Sequence, residues 1–430
     1  MEPKKQTRSS LLLPAAIAAV GFITAVFFVP SSLAAAPMRI ATDIGGMVRI
    51  NSTARLLAGL PPTYPGHFDL AESRIWKEHS VAMRDAWAKV LSGRVSAMTQ
   101  WRDSAIESPC PAGNTLLYPF SGPDFFNAYW MFPACENYVL FGLEHIGDVP
   151  NLDATRERDL RRLLGDVRTS VSDLLDRNYF ITENMSRQLR TAQLRGVVPL
   201  LIIPMALSGV EILRIIPHDL SYLQRERVVP TGEGMAKTAS GSDVPKTMVA
   251  SKARRARQRP MRQMRGITIE FRTRGASTVQ RLHYFTLDAT DTGLAHYPEF
   301  IAYLNGLAPT NTFMKAASYL LHGRKFRKLS QTLLEVSDFL VQDDTGLPYN
   351  LLRSRQWDMR LYGAYSIPIP PFERAFQPML DKDYRARRPD PLPFDFGYNY
   401  SDKRENRANV MVGRKIAPHD ASRSVATPPS

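Results

Sequence analysis

From Val228 to Met264 the chain carries Gly, Ser, Thr, Pro, Lys and Arg with few large apolar side chains. Such a stretch buries too little apolar surface to offset the entropy of ordering it. It predicts a flexible basic insertion, longer than the loops of compact domains, with a structured lobe on either side. The boundaries read from composition are 37–227 for the first lobe, 228–265 for the insertion, 266–417 for the second lobe and 418–430 for a disordered tail. Each lobe is long enough to bury a core without metal or disulfide staples. A hydrophobic fraction of 44% with 10% aromatics excludes wholesale disorder and a polytopic membrane protein.

Charge follows the same division. The chain has 55 Lys+Arg against 41 Asp+Glu, a formal net charge of +14. Seven of those cations, Lys252, Arg254, Arg255, Arg257, Arg259, Arg262 and Arg265, fall in one run without an acid. The basic balance therefore belongs to the insertion and implies no nucleic-acid-binding face. Arg254, Arg255, Arg257 and Arg259 are the candidates for contact with an anionic lipid surface or an acidic envelope polymer.

The N-terminus carries Lys4, Lys5 and Arg8, an apolar run from Leu11 to Val29, and small residues from Ser31 to Ala36. That order describes a secretory signal within residues 1–36, with cleavage after Ala34. The run is also long enough to span a bilayer, so an uncleaved inner-membrane anchor is the alternative. Either way the expected location is periplasmic or extracellular. Cys110 and Cys135 would then meet an oxidising compartment, where pairing contributes about 3 kcal/mol by chain entropy. Two free buried thiols are the alternative; a redox pair lacks the Cys-x-x-Cys spacing.

Local patterns predict an α/β chain, with α+β as the variant, its two lobes arranged around a mixed sheet. Residues 37–66 are punctuated by Pro and Gly and read as loop-rich. Trp76, Met83, Trp87, Val90, Met98 and Trp101 recur at helical spacing, one long helix or a broken pair. Thr115–Phe120 and Asn137–Leu143 read as strands, with Ser121-Gly122-Pro123-Asp124 as a turn capping a short helix. Leu160, Leu163, Leu164, Val167, Val171 and Leu174 form the apolar stripe of a helix over 155–178. The very apolar stretch Val197–Ile216 contains Pro199, Pro204, Gly209, Glu211 and Arg214, which favours a buried helix followed by a strand over a membrane span.

Beyond the insertion, Ile267–Arg272 and Val279–Leu287 read as a hairpin. Helices are expected around Tyr297–Asn305, from Thr312 to His322 and from Phe326 to Val336. Strands are expected at Phe339–Gln342, Trp357–Tyr365 and Phe394–Tyr400. A faint echo links Leu117–Ser121 and Asp124 with His283–Thr286 and Asp288, a hint of two similar lobes.

Two clusters bear chemistry. On a helix, Lys315, Ser318, Tyr319 and His322 would share one face, with Ser318 as a nucleophile; the plain alternative is close helix packing around small residues. Asp343 and Asp344 end an apolar strand, where α/β proteins place metal ligands or acid/base groups. Strand alternation would point them apart, and an Asx-type turn closed by Gly346 and Pro348 is the favoured reading. Asp124, Glu136, Glu144 and His145 form a looser set. The histidines lack metal-ligand spacing, and no phosphate-cradling glycine loop occurs, so neither metal nor cofactor is expected.

The segments Tyr118-Pro119-Phe120-Ser121-Gly122-Pro123-Asp124, Lys315–His322 and Gln342-Asp343-Asp344-Thr345-Gly346-Leu347-Pro348-Tyr349 resemble a group of exported bacterial proteins of unknown function. The resemblance covers roughly 116–413 and implies an extracytoplasmic location without an activity. The functional expectation is a non-enzymatic envelope-binding or structural protein. The competing expectation is a cofactor-free hydrolase or transferase acting on envelope polymer, with Lys315, His322, Asp343 and Asp344 lining its cleft.

Overall fold

A computed structural model describes residues 44–153, 155–177, 194, 196–218, 265–353, 357–368, 372–398 and 408–416. The N-terminal apolar run, nearly all of the basic insertion and the tail lie outside the described residues, as do Arg254, Arg255, Arg257 and Arg259.

Nine strands form one mixed sheet: β1 Thr115–Pro119, β2 Asn137–Gly142, β3 Val210–His218, β4 Arg265–Thr273, β5 Gln280–Thr286, β6 Thr310–Met314, β7 Ser337–Gln342, β8 Trp357–Gly363 and β9 Asn409–Lys415. Their order is β3-β4-β5-β2-β1-β6-β7-β9-β8. The α/β expectation is met. β1 runs parallel to β2 and to β6, and β2 runs parallel to β5. The pairs β3/β4, β4/β5 and β8/β9 are antiparallel.

The chain divides into two compact units that interleave in sequence. The larger comprises Ile40–Phe313 and Arg324–Phe339; the smaller includes Met314–Gly323 and Leu340–Ser430. In the larger unit, β1 and β2 read as continuous apolar runs because both faces are covered. Phe125, Tyr129, Tyr138 and Phe271 form an aromatic cluster there, with ring centroids 5.2–6.5 Å apart. The helix Val198–Leu207 is buried along its whole length apart from its last residue, and Gly209, at φ +73, turns the chain from it into β3. Among the described residues no helix is long and apolar enough to cross a membrane.

Helix placement follows local signals where caps exist. Ser73 accepts a hydrogen bond from the Trp76 N–H at the start of Arg74–Val90, and a π-turn over Leu91–Val95 joins it to Ser96–Ala105. All three tryptophans of that stretch are buried. Asp124 caps Phe125–Met131 as the turn sequence predicts.

Three expectations are corrected. Residues 37–66 are not all loop: Ile44–Leu57 is helical, its face of Ile50, Ala54 and Leu57 buried despite the glycines at its start. The helix expected over Thr312–His322 is instead β6, an irregular turn and a short 3-10 helix Leu320–His322. The strand expected at Phe394–Tyr400 is absent from its described part; the late strand is β9.

Candidate functional site

The smaller unit holds five of the six candidate residues, Lys315, Ser318, His322, Asp343 and Asp344; Asp124 belongs to the larger unit. Asp343 and Asp344 follow the last residue of β7 and are 1% and 0% exposed. The carboxylates take separate partners. Asp343 Oδ1 accepts from the Thr345 N–H at 3.0 Å and from the Thr345 hydroxyl, and Oδ2 accepts from the Ala316 N–H at 2.8 Å. Asp344 Oδ1 accepts from Asn409 Nδ2 at 2.9 Å, and Oδ2 accepts from the Tyr319 hydroxyl. The Thr345 bond closes the Asx-type turn that the sequence suggests.

Those contacts shape the preceding turn. Ala316, Ser318 and Tyr319 all adopt left-handed backbone, with φ of 52°, 53° and 54°. None is glycine, so each costs roughly 1–2 kcal/mol. Ala316 is held by Asp343, Ala317 by the Thr345 hydroxyl at 2.7 Å, and Tyr319 by Asp344. Ser318 Oγ lies 2.9 Å from the Tyr398 hydroxyl, which donates to the Ala316 carbonyl. Lys315 is buried at 3% exposure and engaged. The His322 ring bonds the Gly346 backbone and stacks edge-on against Tyr319. Gly397 passes so close that a Cβ there would lie 2.1 Å from Asp343 Oδ2. The helical face expected for Lys315, Ser318, Tyr319 and His322 does not exist.

Burial governs the electrostatics. It raises the carboxyl of Asp343, with the neighbouring Asp344 charge adding to it, to about 7, and it raises Asp344 as well. Burial pushes His322 down to about 4. The signs oppose. Stability from a protonated Asp343 is full below pH 3.8 and is lost as pH rises through 7. Stability from a neutral His322 is full above 6.5 and is lost as pH falls through 4. Melting temperature measured across this range should therefore gain a shallower alkaline-side decline in Asp343→Asn and a shallower acid-side decline in His322→Gln. An unchanged profile in both variants contradicts the assignment.

The looser acidic set resolves into separate contacts inside the larger unit. Asp124 accepts from the Tyr118 hydroxyl at 2.9 Å and from the Asn127 backbone and amide. Glu144, just past β2, accepts from the Tyr284 hydroxyl at 3.1 Å, and burial raises its carboxyl. Glu136 and His145 are exposed. Among the described residues no group of three His, Cys, Asp or Glu is placed to hold a metal.

Two features escaped the sequence reading. Asn409 and Tyr398, which complete the carboxylate site, lie far along the chain from it. Ser52 Oγ stands 2.9 Å from His67 Nδ1, with Asp153 Oδ1 3.4 Å from His67 Nε2. That serine is 0% exposed and accepts from the Thr63 and Tyr64 N–H groups, so it pins a loop instead of facing substrate. Cys110 and Cys135 form a disulfide, Cα–Cα 5.2 Å. No family model, no curated protein and no solved structure matches the chain.

Proposed function

We propose that this is an exported binding protein, and that its ligand docks at the carboxyl edge of the parallel strands in the larger unit. Export is supported by the signal-like N-terminus and by a disulfide suited to an oxidising compartment. Binding in preference to catalysis is supported by what the candidate acids do: Asp343 closes a turn, Asp344 anchors Tyr319 and Asn409, and Asp124 caps a helix.

The observation that carries the location is strand order. From β1 the chain builds outward on one side through β2 and β5, then returns to place β6 on the other side, parallel to β1. Open parallel sheets take ligands outside the strand ends at such a reversal. Phe120, Ser121 and Glu144 follow β1 and β2 there. With Asp124 already capping the first helix and no glycine-rich cradle, phosphate is disfavoured. A carboxylate at the end of the second strand, 22 positions after Gly122, suits a vicinal diol.

Maltotetraose and adenosine would separate a saccharide from a ribonucleoside source by isothermal titration. Glu144→Gln is expected to weaken whichever binds by about tenfold or more. Heats absent for both, or unaffected by the substitution, defeat the reading. The second reading, a cofactor-free hydrolase or transferase, is favoured by the raised Asp343 carboxyl beside a strained turn. It requires turnover of envelope polymer that Asp343→Asn abolishes without unfolding.

A further inference from the structure

The smaller unit exposes three large apolar side chains in one neighbourhood: Ile367 at 66%, Phe376 at 37% and Met379 at 41%. The Phe376 ring stacks on Tyr365, 6.0 Å between centroids and 9° between planes, and the Gln377 N–H donates to the Tyr365 hydroxyl at 2.9 Å. That contact ties the segment bearing Ile367 to the segment bearing Phe376. Met379 lies in the first turn of the helix Pro378–Arg387 and shares a face with Lys382, three positions on.

The charges around this patch are one-sided. Arg374, Lys382, Arg385, Arg387 and Arg388 are all exposed within 372–388. Three acids fall in the same stretch. Asp383 is buried against the Tyr349 hydroxyl, Asp381 pairs with Arg385, and Glu373 alone stands exposed. Exposed apolar side chains in a stretch that also carries exposed cations with long aliphatic stems match the boundary between acyl chains and anionic headgroups.

We propose that this face of the smaller unit docks on an anionic lipid bilayer, with Ile367, Phe376 and Met379 entering the headgroup boundary and Arg374 and Lys382 meeting lipid phosphates. Charge complementarity selects the occupant. A protein partner would equally cover apolar side chains, but an acidic surface with no defined shape suits cations spread over a loop and a helix. The residues of this face are none of those in the basic run at 252–265 and none of those assigned to the strand edge above.

The test is co-sedimentation of the full chain with vesicles of phosphatidylcholine alone and of phosphatidylcholine mixed with phosphatidylglycerol. Binding is expected only to the anionic vesicles and should fall by about tenfold or more between roughly 0.05 and 0.5 M salt. The triple substitution Ile367→Ser, Phe376→Ser, Met379→Ser should lower partitioning about tenfold or more, as should Arg374→Glu with Lys382→Glu. These positions are exposed, so circular dichroism should register intact folding for both variants. Deleting 228–264 separates the two basic regions, and retained binding supports the patch. Binding that vanishes with the deletion, that ignores both sets of substitutions, or that is equal on neutral vesicles overturns the proposal. Concentration-dependent dimerisation lost in the triple variant, without vesicle binding, overturns it in favour of a second copy as occupant.

Discussion

Phe271→Ala is expected to destabilise the larger unit by about 3–5 kcal/mol. Phe271 lies in β4 at 0% exposure, with its ring 5.3 Å from Phe125, 6.3 Å from Tyr129 and 5.9 Å from Tyr138. Truncation removes the transfer energy of the ring and leaves a cavity that three other rings, themselves fixed by neighbours, cannot collapse to fill. The Tyr138 hydroxyl donates to the Phe132 carbonyl at 2.7 Å, which holds that ring in place and limits relaxation. Urea denaturation should show a lower midpoint with an unchanged slope. A loss below about 1 kcal/mol would mean that the cluster repacks freely, against the close packing described.

The second large effect concerns the disulfide. Cys110 and Cys135 are separated by 25 positions, for which chain entropy gives the same stabilisation of roughly 3–4 kcal/mol expected from the sequence. The closed loop contains β1 and the helix Phe125–Met131, both central to the larger unit. Asn311 of β6 reinforces it: its amide donates to the Ala112 carbonyl at 2.6 Å and to the Thr115 carbonyl at 3.1 Å, and its Oδ1 accepts from the Ala112 N–H. Those bonds persist after reduction, so β1 should stay in register while the unfolded chain gains freedom. The expected result is a fall in unfolding midpoint for the Cys110→Ala, Cys135→Ala double variant, equal to that of the wild type in reductant. A further loss in the double variant on adding reductant would show that the bridge is not what reductant acts upon.

Both effects rest on features with different visibility in the sequence. The two cysteines are conspicuous once a signal-like N-terminus is read, because an exported chain would meet an oxidising compartment. The aromatic cluster was foreseeable only as separate apolar strands. Residues 271 and 125 meet because β4, β5, β2 and β1 are neighbours, and strand order is not written in any local period.

The carboxylate site marks the same limit more sharply. Lys315-Ala-Ala-Ser-Tyr-Leu-Leu-His is a sequence of good helix formers, so local propensity favours a helix through it. Asp343, 27 positions after Ala316, takes the Ala316 N–H, and Thr345, 28 positions after Ala317, takes the next one. Donors captured in this way are not available to an i−4 carbonyl, and the backbone is driven into the left-handed region. Asn409 reaches Asp344 from 65 positions away, beyond any motif.

Local signals in the sequence decided the amphipathic helix Glu157–Arg177, the helix stop at Gly209, the β4/β5 hairpin and the Asp124 cap, because each depends on residues within a few positions of one another. Tertiary structure alone decided which strands adjoin, that the 312–322 segment is not one α-helix, and that the two aspartates serve different partners. The reason is physical: hydrogen bonds and buried contacts between residues far apart in the chain outweigh local preferences worth a fraction of a kcal/mol each.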